Sequence, residues 1–521
     1  MKSVVLSLLR AGDILMQEPL FAAIKAQQPT CELHLVINDE ASWIAPVLTN
    51  IDHIHIFPRK ILQRLLGEAD GHLVRAHIEL SRFIDQLNEI SFDEIYNFTH
   101  TRLSAFLAEE IHAPRKKGLV SDGLKFSGLE NPWLKFFNDR FSTPVEFPFH
   151  YTEILARSFG LTIPPSTQIE TQAVPFKRVF LQVLTSDSKK NWSLANYRNL
   201  LDGIYRSFPQ VKVQVLCSSS EKNQVSKHFE EEEICTWSLG ALAQSLTPSD
   251  LLITGDTAVM HLAATTGTRV LELALGPADP WRTGPFSPGH WVLTSRIDCA
   301  PCVHSKPCRQ LSHVCGDHIS PAMILSVLQA ISAAQDITWN HPIVGLYKTE
   351  MTASGYRLRT MDSTDKNYDR HYLNKILWQH ILDPDFRLDR KDRALIGELN
   401  DEFTEAQESL RACLNVLQAN FEEMIAQLGA NQLQINEVQK SRRQMAQMTS
   451  SGAPKEWLWM FLDLSQLSFA TPLHFLSAFQ DRLEILKGAV YHRQQLMNGF
   501  QPGGENESGS GDLPANGFAE T

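Results

Sequence analysis

Apolar runs of about five residues recur through the first two thirds of the chain, each bounded by polar or turn-forming residues and each leading into a stretch with helical spacing. Val4 to Leu9 precedes a helix near Ile14 to Ala26. Glu32 to Ile37, His53 to Phe57, a helix around His77 to Leu87 and the strand Glu94 to Phe98 continue the series. Strands alternating with helices predict a parallel sheet covered on both faces. Pro144, Pro148, Pro164 and Pro165 interrupt the pattern before a second series begins. It runs through Arg178 to Leu184, a helix near Leu194 to Arg206, Val211 to Leu216, Asp250 to Thr254, a helix starting near Thr257, and Arg269 to Leu275. The pattern therefore predicts two doubly wound α/β domains, residues 1–170 and 175–335.

Beyond residue 370 the period becomes helical. Leu399, Phe403, Ala406, Leu410, Cys413 and Leu417 stand alternately four and three apart, and Phe421, Met424 and Leu428 continue the stripe after one slip. That spacing predicts a long amphipathic helix with coiled-coil character. A second helical region with Leu473, Leu476, Phe479, Leu483, Leu486 and Val490 is placed to pack back on it as an antiparallel hairpin. Residues 370–498 thus read either as a helical appendage that only packs or as an element that joins copies of the chain into a homo-oligomer. Residues 499–521, rich in Gly, Ser, Asn and Glu, are expected to be disordered.

At 521 residues the chain exceeds one ordinary core, since domains average ~150 residues. A hydrophobic share of 43% with 21% charged residues describes a globular protein, and the formal charge of -11 argues against general affinity for nucleic acid or anionic membrane, so local basic clusters are judged singly. The start, Met1 to Arg10, reads as a first strand rather than a cleaved leader, because Arg10 and Asp13 interrupt the apolar run. No run approaches the ~18 apolar residues of a membrane span. A cytoplasmic protein is expected, its eight cysteines serving as thiols or metal ligands rather than disulfides.

Two turns carry the candidate chemistry. Arg10-Ala-Gly-Asp13 and Thr254-Gly-Asp-Thr-Ala-Val-Met-His261 each follow a strand and open a helix. Ligands of open α/β sheets bind beyond the carboxyl ends of the strands, so both turns set a carboxylate at the lip of a cleft. Asp13 is either a turn residue or a general base for a hydroxyl that must lose its proton. Asp256 and Thr257 either cap the following helix or face a ligand, and His261 is either a satisfied buried histidine or part of the same site. Thr185-Ser-Asp-Ser-Lys-Lys-Asn-Trp192 also joins a strand to a helix, where its hydroxyls, backbone N–H groups and a lysine suit a pyrophosphate or simply form a cap. Arg59, Lys60, Arg64, Arg115, Lys116 and Lys117 are candidates for receiving an anionic acceptor, with solvated surface as the plainer reading. Cys299, Cys302, Cys308 and Cys315, with His304, His313 and His318 interleaved, fit either a structural metal or packed reduced thiols.

Taken together, these runs resemble glycosyltransferase family 9, the ADP-heptose:lipopolysaccharide heptosyltransferases. The resemblance is carried by Thr254-Gly-Asp-Thr-Ala-Val-Met-His-Leu-Ala-Ala264, Gly267-Thr268, Leu275-Gly-Pro-Ala-Asp-Pro280, Thr283-Gly-Pro285 and Arg10-Ala-Gly-Asp-Ile-Leu15 with Pro19. Cys299-Ala-Pro-Cys302 is similar to a cysteine-containing subset. Ala258 departs from the usual glycine, and Gln17 and Glu18 replace the small hydroxyl residues common before the proline.

The resemblance spans about residues 1 to 335 and implies a GT-B architecture, two facing Rossmann-like domains, with a C-terminal α-helical extension outside it. It further implies an inverting, metal-independent transfer without a cofactor, the ADP-sugar being the donor substrate. Asp13 would be the general base, Thr185, Ser186 and Lys190 would hold the diphosphate, and Asp256, Thr257 and His261 would complete that side. Glu221 would bind the ribose hydroxyls. The implied acceptor is an anionic glycolipid, lipopolysaccharide core or a similar glycan, met at the inner-membrane face. A relative using another nucleotide sugar and a non-catalytic nucleotide-sugar-binding scaffold are the alternative readings.

Overall fold

The computed structural model describes residues 1–67, 72–140, 147–164, 176–310, 312–335, 337–352 and 354–362, and scattered positions from 365 to 487. Nearly all of the predicted helical extension and the whole 499–521 tail lie outside the described residues. The chain divides into two compact units, Met1–Lys375 and Ile376–Thr521, and both sheets belong to the first.

The first sheet holds β1 (Lys2–Ser7), β2 (Glu32–Asn38), β3 (His53–Phe57), β4 (Glu94–Asn97) and β5 (Arg115–Gly118), in the order β3-β2-β1-β4-β5 and all parallel. A parallel sheet covered on both faces requires near-continuous apolar runs in its central strands. Ser3 to Ser7 are accordingly buried throughout, whereas the edge strand β5, Arg-Lys-Lys-Gly, is not. A two-stranded hairpin, β6 (Val120–Ser121) and β7 (Phe126–Ser127), follows.

The second sheet is built from β8 (Arg178–Gln182), β9 (Lys212–Leu216), β10 (Ile234–Cys235), β11 (Asp250–Thr254), β12 (Arg269–Ala274) and β13 (Trp291–Ser295), parallel in the order β10-β9-β8-β11-β12-β13. It does not stop at residue 335. An antiparallel pair, β14 (Val344–Thr352) and β15 (Gly355–Thr360), adds to β13. Val344, Leu346, Tyr356 and Leu358 carry the core outward into this hairpin, and the Tyr356 hydroxyl donates to the Pro280 carbonyl at 3.2 Å. In each sheet the strand order reverses beside the first strand, between β1 and β4 and between β8 and β11. Those reversals are where crevices open at the carboxyl ends of doubly wound sheets.

The single helix expected over Ile14 to Ala26 is two, Ala11–Met16 and Glu18–Gln27, hinged at Gln17 with Pro19 in the first turn of the second. Gln17 and Glu18 are buried by inward hydrogen bonding. Gln17 Oε1 accepts from the Ser7 hydroxyl (2.7 Å) and its amide donates to Tyr151 (2.9 Å). Glu18 Oε1 accepts from the backbone and side chains of Thr49 and Asn50 at 2.8–3.2 Å. Both residues therefore anchor the hinge.

Candidate active site

The two Gly-Asp turns meet. Helix Ala11–Met16 starts directly after β1, and helix Ala258–Thr265 starts just beyond β11. Their first turns abut so closely that a Cβ on Gly12 would sit 3.6 Å from the Ala258 backbone and 3.8 Å from the His261 ring. Around this junction lies a cavity of about 640 Å³. It brings together the eight residues that the resemblance implies for catalysis and donor binding: Asp13, Thr185, Ser186, Lys190, Glu221, Asp256, Thr257 and His261.

On the first-sheet side, Asp13 is the partly buried carboxylate of the lip. Loss of solvent and the nearby Asp256 charge push its pKa up to about 6, against the opposing pull of Arg10 and Lys190. Near neutral pH such a group is ionised yet basic enough to take a proton.

On the second-sheet side the charges are already paired. Lys190 Nζ donates to Asp256 Oδ2 at 2.7 Å, and the Thr283 hydroxyl reaches the same oxygen at 3.4 Å. His261 Nε2 lies 3.8 Å from Asp256 Oδ1, but burial drives its pKa down to about 4 and the ring is neutral at pH 7. Thr257, not Asp256, is the cap of its helix: its oxygen accepts from the Met260 N–H, and its hydroxyl donates to Gln182 at 2.9 Å. The hydroxyl of Thr185 is likewise held within its loop, donating to the Asp187 carbonyl at 2.8 Å, while Ser186 is exposed to the cavity. Glu221 Oε2 accepts from the backbone and hydroxyl of Ser218 (2.8 and 2.7 Å). Nearby Leu216, Cys235, Trp237, Leu239 and Leu242 give the cavity an apolar end.

The loop bearing Lys190 is fixed from three directions. Trp192, almost wholly buried, donates to the Gly316 and Ile319 carbonyls at 3.1 and 3.0 Å. Lys189 donates to the carbonyls of Val303, His304 and Lys306, so only the second lysine of the pair faces Asp256. Gly276, at φ +60°, lies against the Lys189 carbonyl, where a Cβ would come to 2.3 Å.

Sequence reasoning passed over Gln182 and Ser218, and it grouped His304 with the cysteines rather than with the cleft. His304 spans the cleft rim, 3.2 Å from Arg10 Nη1 through one ring nitrogen and 2.9 Å from Asp187 through the other. No strand-end rule points to it, because it sits in the cysteine-rich loop.

The basic sets lie elsewhere. Arg115 and Lys117 pair with Glu94, Lys116 with Glu109 and Arg59 with Glu40, and none of these lines the cavity. Cys299, Cys302, Cys308 and Cys315 line a separate recess of about 140 Å³ together with Lys189 and His313. The seven described cysteines are unbridged. Burial raises the Cys315 thiol, but the hydrogen bond to His313, the His313 charge and backbone hydrogen bonds from Gly276 and Gly316 together outweigh it and the net shift is downward. Among the described residues, the set of His, Cys, Asp or Glu donors that converges within 4.8 Å is Glu32, His34 and His53, not the four cysteines.

Residues 80–312 match the profile of Glycosyltransferase family 9 (heptosyltransferase). A Haemophilus influenzae protein described by inference as a glycosyltransferase is 23% identical over 290 residues, 49% of this chain and 77% of that protein. Among solved structures, a family 9 glycosyl transferase from Veillonella parvula is 17% identical at a TM-score of 0.45, across 64% of this chain and 97% of that one. The E. coli ADP-heptose lps heptosyltransferase II is 16% identical at a TM-score of 0.44, across 64% and 99% of the two chains. The iron-containing dodecameric glycosyltransferase TibC from enterotoxigenic E. coli is 13% identical at a TM-score of 0.34, across 64% and 76%. The profile match takes in the Thr185–Trp192 loop and the Gly255-Asp256 turn, and leaves Asp13 outside it. That match makes residues 80–312 similar to glycosyltransferase family 9.

Proposed function

We propose that this glycosyltransferase moves a heptose from ADP-heptose to a lipopolysaccharide core or similar glycan by a single inverting displacement. The observation that carries the reading is that Asp13 from one sheet and the Lys190–Asp256 pair from the other line one cavity. The acceptor hydroxyl gives its proton to Asp13 as its oxygen bonds to the anomeric carbon, and the bond from that carbon to the diphosphate breaks on the opposite face. The electron pair leaves with ADP. Lys190 and the N–H groups opening helix Ala258–Thr265 are placed to take up the charge that develops there, and this reading needs no divalent ion or cofactor.

The free oxygen of Glu221 suits a ribose diol, and the apolar end with Trp237 suits a planar base. Thr185 and Thr257 serve chiefly by shaping the loop and helix start, because their hydroxyls are already hydrogen-bonded. The abutting helix starts leave little room between Gly12 and Ala258, which on this reading would limit water that could hydrolyse the donor. A glycolipid acceptor requires approach to a membrane surface. Exposed Ile61, Leu66, Leu73, Val74 and Ile78 lie on two successive helices that also carry Arg59, Lys60 and Arg64, a composition suited to a peripheral contact. No helix among the described residues is long and apolar enough to cross a membrane.

The test is ADP release from a panel of nucleotide sugars mixed with heptose-deficient core acceptor. Turnover is expected with ADP-heptose. Turnover with a different nucleotide sugar alone would reassign the donor while leaving the reaction class intact. Light scattering on the full chain and on a chain ending at residue 369 tests whether the 370–498 segment sets an oligomeric state.

A further inference from the structure

Strands β2 and β3 begin, at the end of the first sheet opposite Asp13, with Glu32-Leu-His34 and His53-Ile-His55. They run parallel with His34 beside His53 and Val36 beside His55. Alternate residues of a strand point to one face, so this register gathers a carboxylate and three imidazoles on one side of the sheet edge. Glu32 Oε1 lies 3.2 Å from His34 Nε2 and 2.9 Å from His53 Nε2. The three donor atoms all fall within 4.8 Å of one another.

We propose that Glu32, His34 and His53 bind a divalent cation of the zinc class at this edge, tying β2 to β3. Donors ~2.0–2.1 Å from a tetrahedral ion stand about 3.3 Å apart, close to the two separations from Glu32 Oε1. Two imidazoles and one carboxylate select zinc, nickel or copper over magnesium or calcium, which take oxygen donors.

The surroundings support a built site. His34 is buried, with the Phe92 ring edge-on at 5.1 Å. Its second ring nitrogen, Nδ1, lies 2.9 Å from His55 Nε2, the kind of outer contact that fixes the tautomer and plane of a metal-binding histidine. Lys2 approaches only the other carboxylate oxygen of Glu32, at 3.8 Å, leaving Oε1 to the ion. His53, with its side chain 53% exposed, leaves a solvent-facing position for water. Nothing in the transfer chemistry uses this cluster.

Cobalt(II) titration of the tag-free full chain, followed by absorption and by calorimetry, distinguishes this site from the cysteine set. Cobalt held by nitrogen and oxygen lacks the intense near-ultraviolet charge-transfer band that thiolates give. The expected result is uptake of a single equivalent without that band, abolished in His53→Ala and in Glu32→Gln, both surface changes. His55→Phe, which removes only the orienting partner, should weaken binding about 10- to 100-fold. Zinc should also raise the thermal midpoint of the wild type and not of His53→Ala. Uptake that persists undiminished in both ligand variants, or that shows only the thiolate band, overturns the proposal and leaves the cluster a hydrogen-bonded patch.

Discussion

The two lips of the cleft are built from the same strand-turn-helix device and end in opposite electrostatic states. On the second sheet, Asp256 meets Lys190 and Thr283 before any ligand arrives, and its neighbour His261 is neutral. On the first sheet, Asp13 lies in a poorly solvated place with Asp256 opposing its charge, and its proton affinity rises. A paired carboxylate is a poor base but a good brace for a lysine that, in the proposed reaction, meets phosphate. An unneutralised one is a poor brace but a good base. The position of a Gly-Asp turn thus sets only where a carboxylate stands, and its neighbours decide what it does.

That division of labour can be broken by substitution. Asp13→Ala should cost about 10²- to 10⁴-fold in kcat while calorimetry finds donor affinity unchanged. Equal loss of donor affinity would put Asp13 on the donor side and end the contrast. Lys190→Ala should lower kcat about 10²- to 10³-fold and weaken donor binding as well, because it removes the cation and leaves Asp256 unpaired.

A third outcome concerns stability. The folded state holds the Asp13 proton up to about pH 6, whereas the unfolded chain releases it near its ordinary value of 3.8. The folded state is therefore favoured below that ordinary value, and this advantage is lost as pH rises through 6. Asp13→Asn should then gain on the order of 2 kcal/mol in urea unfolding at pH 8, with the gain vanishing near pH 4. In the wild type, kcat/KM should fall on the acid side with a midpoint near the same value of about 6. The smallest effect is expected for Glu221→Gln, which keeps the shape and loses the charge: about 1 kcal/mol of nucleotide affinity, read by calorimetry.

Much of this was legible in the chain because parallel strands declare themselves as apolar runs ending in turns. Val4 to Ser7, Asp250 to Thr254 and Arg269 to Ala274 all read that way, and the turns after the first two carry the site. The β14–β15 hairpin was not legible, because it is an antiparallel addition whose alternation, as in Gly-Tyr-Arg-Leu-Arg-Thr, is short and half polar. The break at Gln17 was hidden by an uninterrupted apolar stripe on both sides of it, although Pro19 marks the second start. The place of His304 at the cleft, rather than with the cysteines it was grouped with, was hidden for another reason. Its contacts to Arg10 and Asp187 depend on how a loop folds over the cleft, and no periodicity encodes that.

Gly276 never lines the main cavity, yet its bare α-carbon is the stop against which the Lys189 carbonyl rests. The position of the neighbouring ammonium is therefore set by a clearance rather than by an attraction. A single added methyl would act as a shim, lifting the lysine loop away from Asp256 and, in the proposed reading, altering nucleotide affinity from outside the cavity. The glycine of one motif and the lysine loop of the other form a single mechanical fitting, and exchanging either between relatives should work only when both are exchanged together.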